Sequence, residues 1–265
     1  MIFCSEYETI YLILPLIGFV IGLFGTMVGG GGGFFFLPVL TLIIGAPAHV
    51  AVATSLTATL PVGIVGTFGH YRGGNVDWKT GRIFIVAGIV GALAGAVITG
   101  ILSSKQLKVA FGIYSILIAL NMSYSTWRKR KVEKQGHRLK ALSARGRVLR
   151  GSFFGFFGGA ISGTFGTSGT APVMAGLFSM RIPLKMVIGT SLLVVLVNSV
   201  FAAGAHFVIG QIDLMLVAFL TSGSTIGAIL GTTWLARARV EKAENNIRHV
   251  YALIMIAIGV LMILK

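Results

Sequence analysis

"GTMVGGGGGFFFLPVL", residues 25–40, joins two apolar stretches through five consecutive glycines. Glycine costs about 1 kcal/mol relative to alanine inside a helix, so Gly29 to Gly33 should interrupt any helix that enters them. The apolar stretch beyond, Phe34 to Ile44, has 11 residues. At the helical rise it covers about 16 Å, roughly half of a hydrocarbon core of about 30 Å. It is therefore read as the short second arm of a re-entrant hairpin with the glycines at its tip. Such a break at membrane depth is tolerated only where protein or a watery cavity surrounds it.

Composition supports a membrane setting. The 265-residue chain is 55% hydrophobic and 11% charged, whereas soluble domains average about 25% charged. No Asp, Glu, Lys or Arg occurs between Glu8 and Arg72, and charge-free runs follow at 83–104, 109–127, 151–180, 186–212 and 214–236. These runs lack strand alternation and are rich in Leu, Ala, Ile and Met, so helices rather than barrel strands are expected. The start, "MIFCSEYETI", is acidic and has no basic n-region, so the first apolar segment is expected to be retained. Cys4 is the one cysteine, which excludes an internal disulfide and argues against a cysteine-based metal site. No metal and no cofactor are expected.

The net charge of +15 is concentrated in "RKRKVEKQGHRLKALSARGRVLR", residues 128–150, between two apolar segments. The positive-inside rule makes this a cytoplasmic loop in contact with membrane lipids, not a nucleic-acid patch.

The chain also repeats itself. "VATSLTATLPVGIVGTFGHYRGGNVDW" from Val52 aligns with "IGTSLLVVLVNSVFAAGAHFVIGQIDL" from Ile188 at an offset of 136 residues. The offset pairs Thr54 with Thr190, Ser55 with Ser191, His70 with His206 and Asp77 with Asp213, and Gly91 and Gly95 with Gly227 and Gly231. The glycine-rich tip recurs as "GTFGTSGTAPV", residues 163–173. The expected fold is an all-α polytopic membrane protein of two inverted-topology repeats, each a re-entrant helical hairpin plus three transmembrane helices. Residues 1–127 form the first repeat, with a hairpin at about 10–45 and spans at about 48–69, 81–102 and 106–127. A basic linker, 128–147, leads to the second repeat, 148–265, with a hairpin at about 148–180 and spans at about 184–208, 212–236 and 246–264. Three crossings per repeat turn the copies in opposite directions. With the linker inside, every Lys and Arg except Lys105, Lys108 and Lys265 also falls inside, and both termini fall outside.

The chemistry is expected at the two tips, meeting near the midplane. A half-helix beginning there points free N–H groups and a positive dipole end into the centre, which makes an anion site. Gly30, Gly31, Gly32, Gly33, Gly166 and Gly169 would let an oxyanion approach the backbone, with hydroxyls from Thr167, Ser168 and Thr170. Pro38 and Pro172 are expected near the starts of the short helices, where a missing N–H costs least. Thr54, Ser55, Thr190, Ser191 and Asn198 are further candidate substrate contacts. His70 and His206 are candidates for proton coupling. Asp77 and Asp213 are expected as solvated turn residues or caps, and Gly18, Gly22, Gly91, Gly95, Gly227 and Gly231 as helix-packing positions. The spans carry no carboxylate suited to moving a proton or sodium ion, which favours anion movement.

The glycine-rich hairpin followed by a proline, the "TSL" after it in each half and the "G-x-[IV]-D" loop of both repeats resemble the sulfite exporter TauE/SafE family of membrane transporters. The resemblance covers nearly the whole chain. It implies a bacterial inner membrane and movement of sulfite, an organosulfonate or a related sulfur-containing anion. One departure is "ATSL" in the first copy against "GTSL" in the second, expected to matter little. The reading is a secondary transporter exporting a small oxyanion by alternating access. An anion-selective channel and an importer are the alternatives, and an enzyme is disfavoured because the interior offers no paired carboxylates or activated nucleophile. No sequence feature sets an oligomeric state.

Overall fold

A computed structural model describes residues 2–29, 32–132, 143–237 and 244–264. Among these residues the chain is almost wholly helical. A two-residue strand β1, Ile2–Phe3, is followed by a 3-10 turn, Thr9–Ile13, leading into α1, Leu14–Val28. Then come α2, Gly33–Pro38, and a π-helical turn, Val39–Ile43. Three long helices complete the first half: α3, Ala48–Arg72, α4, Trp78–Ile101, and α5, Ser104–Val132. The second half has α6, Ala144–Phe165, α7, Thr170–Ser179, α8, Leu184–Ile209, strand β2, Ile212–Asp213, α9, Leu214–Arg237, and α10, Glu244–Leu264. Five helical stretches are long and apolar enough to cross a membrane: Thr9–Met27, Ala48–Arg72, Trp78–Ile101, Leu184–Val208 and Leu214–Thr233. The chain is an all-α polytopic membrane protein.

Each hairpin has unequal arms. Hairpin 1 pairs the long stretch from Thr9 to Val28 with a short arm, Gly33–Ile43, and hairpin 2 pairs α6 with the ten-residue α7. Each long arm packs against the opposite half. Helix α1 packs along α9 and α6 along α4 more extensively than any other helix pair. Glycines make this approach possible. An added Cβ at Gly18 or Gly22 would run into the backbone of Leu220 or Ser224, one at Gly159 or Gly163 into Gly88 or Ala92. Gly91, Gly95, Gly227 and Gly231 likewise face backbone of the opposite half, so all six glycines expected in packing positions are there.

The central pair is α3 and α8. Each is 72% buried over its most apolar stretch, against 39% for α4 and α9. Helices α5 and α10 pack on each other at the side, where Ser115 Oγ donates to the Met255 carbonyl at 2.7 Å. The apolar core joins the short arm of hairpin 1 to these elements through Phe34, Phe36, Leu56, Phe111, Leu220 and Met255.

Two local expectations change. Pro38 lies at the end of α2, not near its start. Lacking an N–H and crowding the preceding turn, it is followed by the wider π turn, where the Ile44 N–H donates to the Val39 carbonyl at 3.2 Å. The basic segment is also partly helical: α5 continues to Val132 and α6 begins at Ala144, capped by Ser143, whose Oγ accepts from the Gly146 N–H at 3.2 Å. The rest of the linker, 133–142, lies outside the described residues.

Candidate functional site

At the tip of hairpin 1, α1 ends on Gly29 with φ of 84° and α2 starts after Gly32 with φ of 76°. At the tip of hairpin 2, α6 ends on Gly166 with φ of 65° and α7 starts after Gly169 with φ of 54°. All four are left-handed conformations that a side chain resists, so glycine lets the chain stop one helix and start the next within a few residues. Gly30 and Gly31, two of the candidate contacts, lie outside the described residues.

The two tips meet. An added Cβ at Gly33 would lie 3.0 Å from the Ser168 nitrogen and 2.8 Å from Thr59 Oγ1. Thr167 and Ser168 are only 1% and 2% exposed, so both are closed off from solvent in this conformation. Thr170 Oγ1 donates to Ser168 Oγ at 2.7 Å. The Thr167 hydroxyl is buried and has no partner. Gly32 and Gly169 face elsewhere: a Cβ on Gly32 would press on Ile21 of its own hairpin's long arm, and one on Gly169 on Gly158.

The "TSL" residues tie each half to the other. Ser55 Oγ donates to the Gly166 carbonyl at 2.6 Å, and Ser191 Oγ donates to the Gly29 carbonyl at 2.9 Å. Each serine thus satisfies a carbonyl left open at the end of the opposite half's long arm. The neighbouring threonines accept: Thr190 Oγ1 takes the Asp77 N–H at 2.9 Å and Thr54 Oγ1 takes the Asp213 N–H at 3.1 Å. Both serines also bond back to their own helix, at Val52 and Ile188.

The remaining candidates spread outward. Asn198 is fully buried with neither amide atom hydrogen-bonded, and it packs against Gly88 of α4. His206 Nε2 lies 2.7 Å from the Gly163 carbonyl. His70 is 5% exposed, and neither of its ring nitrogens makes a hydrogen bond. Both aspartates are helix caps, but Asp213 is not solvated: it is 2% exposed and takes N–H bonds from Met215 and Leu216. The "ATSL" and "GTSL" copies are not interchangeable. A methyl on Gly189 would collide with the Asn75 carbonyl and come within 3.0 Å of His70 Cβ.

Several tip residues escape a reading of the glycines. Thr59 lies beside Gly33, and an aromatic group spans both tips: Phe34 to Phe111 at 5.2 Å between ring centroids, Phe111 to Phe165 at 5.8 Å, and Tyr114 stacked on Phe165 at 5.6 Å. The i, i+3 spacing of Phe111 and Tyr114 was the available signal, since it places both on one face of α5.

Five helical stretches long and apolar enough to cross a membrane, with two broken hairpins whose tips touch, make this a multi-pass membrane protein. The profile of the sulfite exporter TauE/SafE family matches residues 14–262, and the chain belongs to that family. It is 26% identical to "Probable membrane transporter protein YunE" of Bacillus subtilis over 92% of this chain and 95% of that protein. It is 27% identical to a "Probable membrane transporter protein" of Xylella fastidiosa over 94% of this chain and 91% of the relative. A third relative, "Probable membrane transporter protein MJ0441" of Methanocaldococcus jannaschii, is 30% identical over 76% of this chain and 74% of its own length. No solved structure matches.

Proposed function

We propose that the protein is a secondary transporter that exports a small sulfur-containing oxyanion, sulfite or an organosulfonate, across a bacterial inner membrane. The two halves act as inverted repeats, with the basic linker cytoplasmic and the hairpin tips forming a site near the midplane. The observation that carries this reading is the meeting of the tips, where α2 and α7 begin and the buried Thr167 hydroxyl lacks a partner. An oxyanion seated there would take N–H groups at two helix starts and hydroxyls from Thr167 and Ser168. Thr54, Ser55, Thr190 and Ser191 serve the anion indirectly, by holding the tips and turns in register. Burial of Thr167 and Ser168 supports an occluded state of a carrier more than an open channel. An inside-negative potential favours anion exit by about 2.3 kcal/mol per charge per 100 mV, so export needs no coupled ion.

The test is flux of labelled sulfite, methanesulfonate, sulfate and chloride in liposomes holding the purified protein. Sulfite or the sulfonate should show saturating flux, and Thr167→Val should weaken substrate binding by about 0.5–1.5 kcal/mol, or up to about 3 for a charged partner. Gly33→Ala should reduce transport further, since its methyl intrudes between the tips. Parental rate and half-saturation in both variants would sink the tip site.

A further inference from the structure

At the linker-side end of the molecule a pocket of about 220 Å³ opens between the two halves, lined in part by Asp77, Thr80, Arg147, Met180, Arg181 and Met186. We propose that this pocket is a second anion site, separate from the hairpin tips, in which the guanidinium groups of Arg147 and Arg181 hold one oxyanion of sulfur or phosphorus.

The first support is the state of the charges. Among the described residues neither arginine side chain makes an ion pair or hydrogen bond. The pocket's carboxylate is already engaged: Asp77 takes the Thr80 N–H at 3.1 Å and the Thr80 hydroxyl at 2.7 Å, one on each oxygen. Two guanidinium forks with free donors suit an oxyanion, which accepts two parallel N–H bonds from each.

The second support is the backbone. Arg181 has φ of 61°, the one positive value at a non-glycine position among the described residues. The matching turn in the first half, 136 residues earlier, carries Gly45 with φ of 78°, and a proline follows two residues later in both, Pro47 and Pro183. Glycine makes that turn without strain. The second half makes it with a cation at a pocket wall.

The third support is the opposite end, where the equivalent space is filled. Strand β1 pairs with β2 over Asp213, the Ser5 N–H donates to the Asp213 carboxylate at 3.3 Å, and Tyr11, 3% exposed, donates its hydroxyl to Ser5. No described residue covers Asp77 in that way. The space left open has room for a pyramidal or tetrahedral anion with several waters. That anion is either free in solution or the headgroup phosphate of an anionic lipid, since basic pockets between spans take such headgroups.

The test uses the full-length protein in lipid-depleted maltoside micelles, titrated with inorganic phosphate, an oxyanion not proposed for the tips, by calorimetry and thermal unfolding. For a free anion, saturable phosphate binding should weaken at least tenfold in Arg147→Gln and Arg181→Gln, weaken less in Arg181→Lys, which keeps the charge but loses the fork, and be unchanged in Lys105→Gln, away from the pocket. For a headgroup, free phosphate should have no effect. Nanodiscs containing phosphatidylglycerol, but not phosphatidylcholine alone, should then raise the unfolding temperature of the parent above that of the Arg147→Gln/Arg181→Gln double variant. Arg181→Gly guards against a folding artefact: it should unfold at a higher temperature than the parent without ligand, yet lose the binding. Equal response of parent and double variant to free phosphate and to anionic lipid would overturn the site. So would phosphate binding lost in Thr167→Val and kept in the arginine variants. Neither readout depends on transport, so a failed flux assay leaves this result standing.

Discussion

Asp77 and Asp213 occupy matching turns, after α3 and after α8, and each gives its backbone N–H to a threonine of the opposite half. There the likeness ends. Asp213 is 2% exposed beneath β1 and Tyr11, whereas Asp77 is partly exposed at the wall of a pocket with Arg147 and Arg181. The threonine ties come from the spans that repeat between halves. The covering at Asp213 comes from β1, Ser5 and Tyr11, whereas Asp77 lines a pocket with Arg147 and Arg181. A duplicated frame can therefore be held by equal bonds while its two ends become different in polarity and access.

The sharpest way to break the comparison is at the hairpin tips, where the frame should respond equally. Gly29→Val and Gly166→Val each force a β-branched residue into a left-handed conformation, costing on the order of 1–3 kcal/mol for the backbone alone. Steric overlap adds to this, with Ser191 Oγ at Gly29 and with Val52 and Ser55 at Gly166. Both variants should lose most folded, monodisperse protein on purification. A large loss in one and none in the other would show that the tips are not equivalent.

A second pair should respond unequally. Gly189→Ala meets the Asn75 carbonyl, a backbone atom that cannot turn aside, and should destabilise by about 2–3 kcal/mol as an overpacked site. The reverse change in the other half, Ala53→Gly, should cost about 1 kcal/mol from helix propensity. Thermal unfolding in detergent distinguishes them, and equal midpoints would contradict the packing difference.

Ser55→Ala and Ser191→Ala each leave a buried glycine carbonyl short of a donor, which should cost about 1–3 kcal/mol. The two losses should agree closely, and their sum should hold in the double variant if the ties act independently. Non-additivity in unfolding midpoints would point to coupling between the tips.

A smaller effect is expected at the covered end. Ser5→Pro removes the N–H that reaches the Asp213 carboxylate and should cost about 1.5 kcal/mol, the low end for a bond to a charged group because the contact is long, at 3.3 Å, and only part-buried. A cysteine placed at Leu216 in a Cys4→Ser background should become more reactive to a thiol reagent in the Ser5→Pro variant. One at Thr80 should not change.

Much of the architecture was legible because it depends on composition and local geometry. Charge-free runs long enough for the hydrocarbon core mark the spans, and five glycines in a row stop a helix whatever surrounds them. The packing glycines were legible too, as small residues at helical spacing on α1, α4 and α9. The proline at position 38 misled because its preferred place at a helix start does not say which turn of a short helix it occupies.

Which helix a glycine stripe faces is a different kind of question. Nothing local to α1 says that it lies along α9, or that α6 lies along α4, because an apolar face is satisfied by lipid or by any close-packing partner. The partner is set when all helices compete for one another at once. The same holds for the serines of the repeated motif. Their hydroxyls could have bonded only to their own helix, and they reach Gly166 and Gly29 because the assembled bundle brings an open carbonyl of the other half within 3 Å. Covering of Asp213 and opening at Asp77 follow from the same cause: burial is a property of what else arrives at a position, and a residue's own type and neighbours in the chain do not contain it.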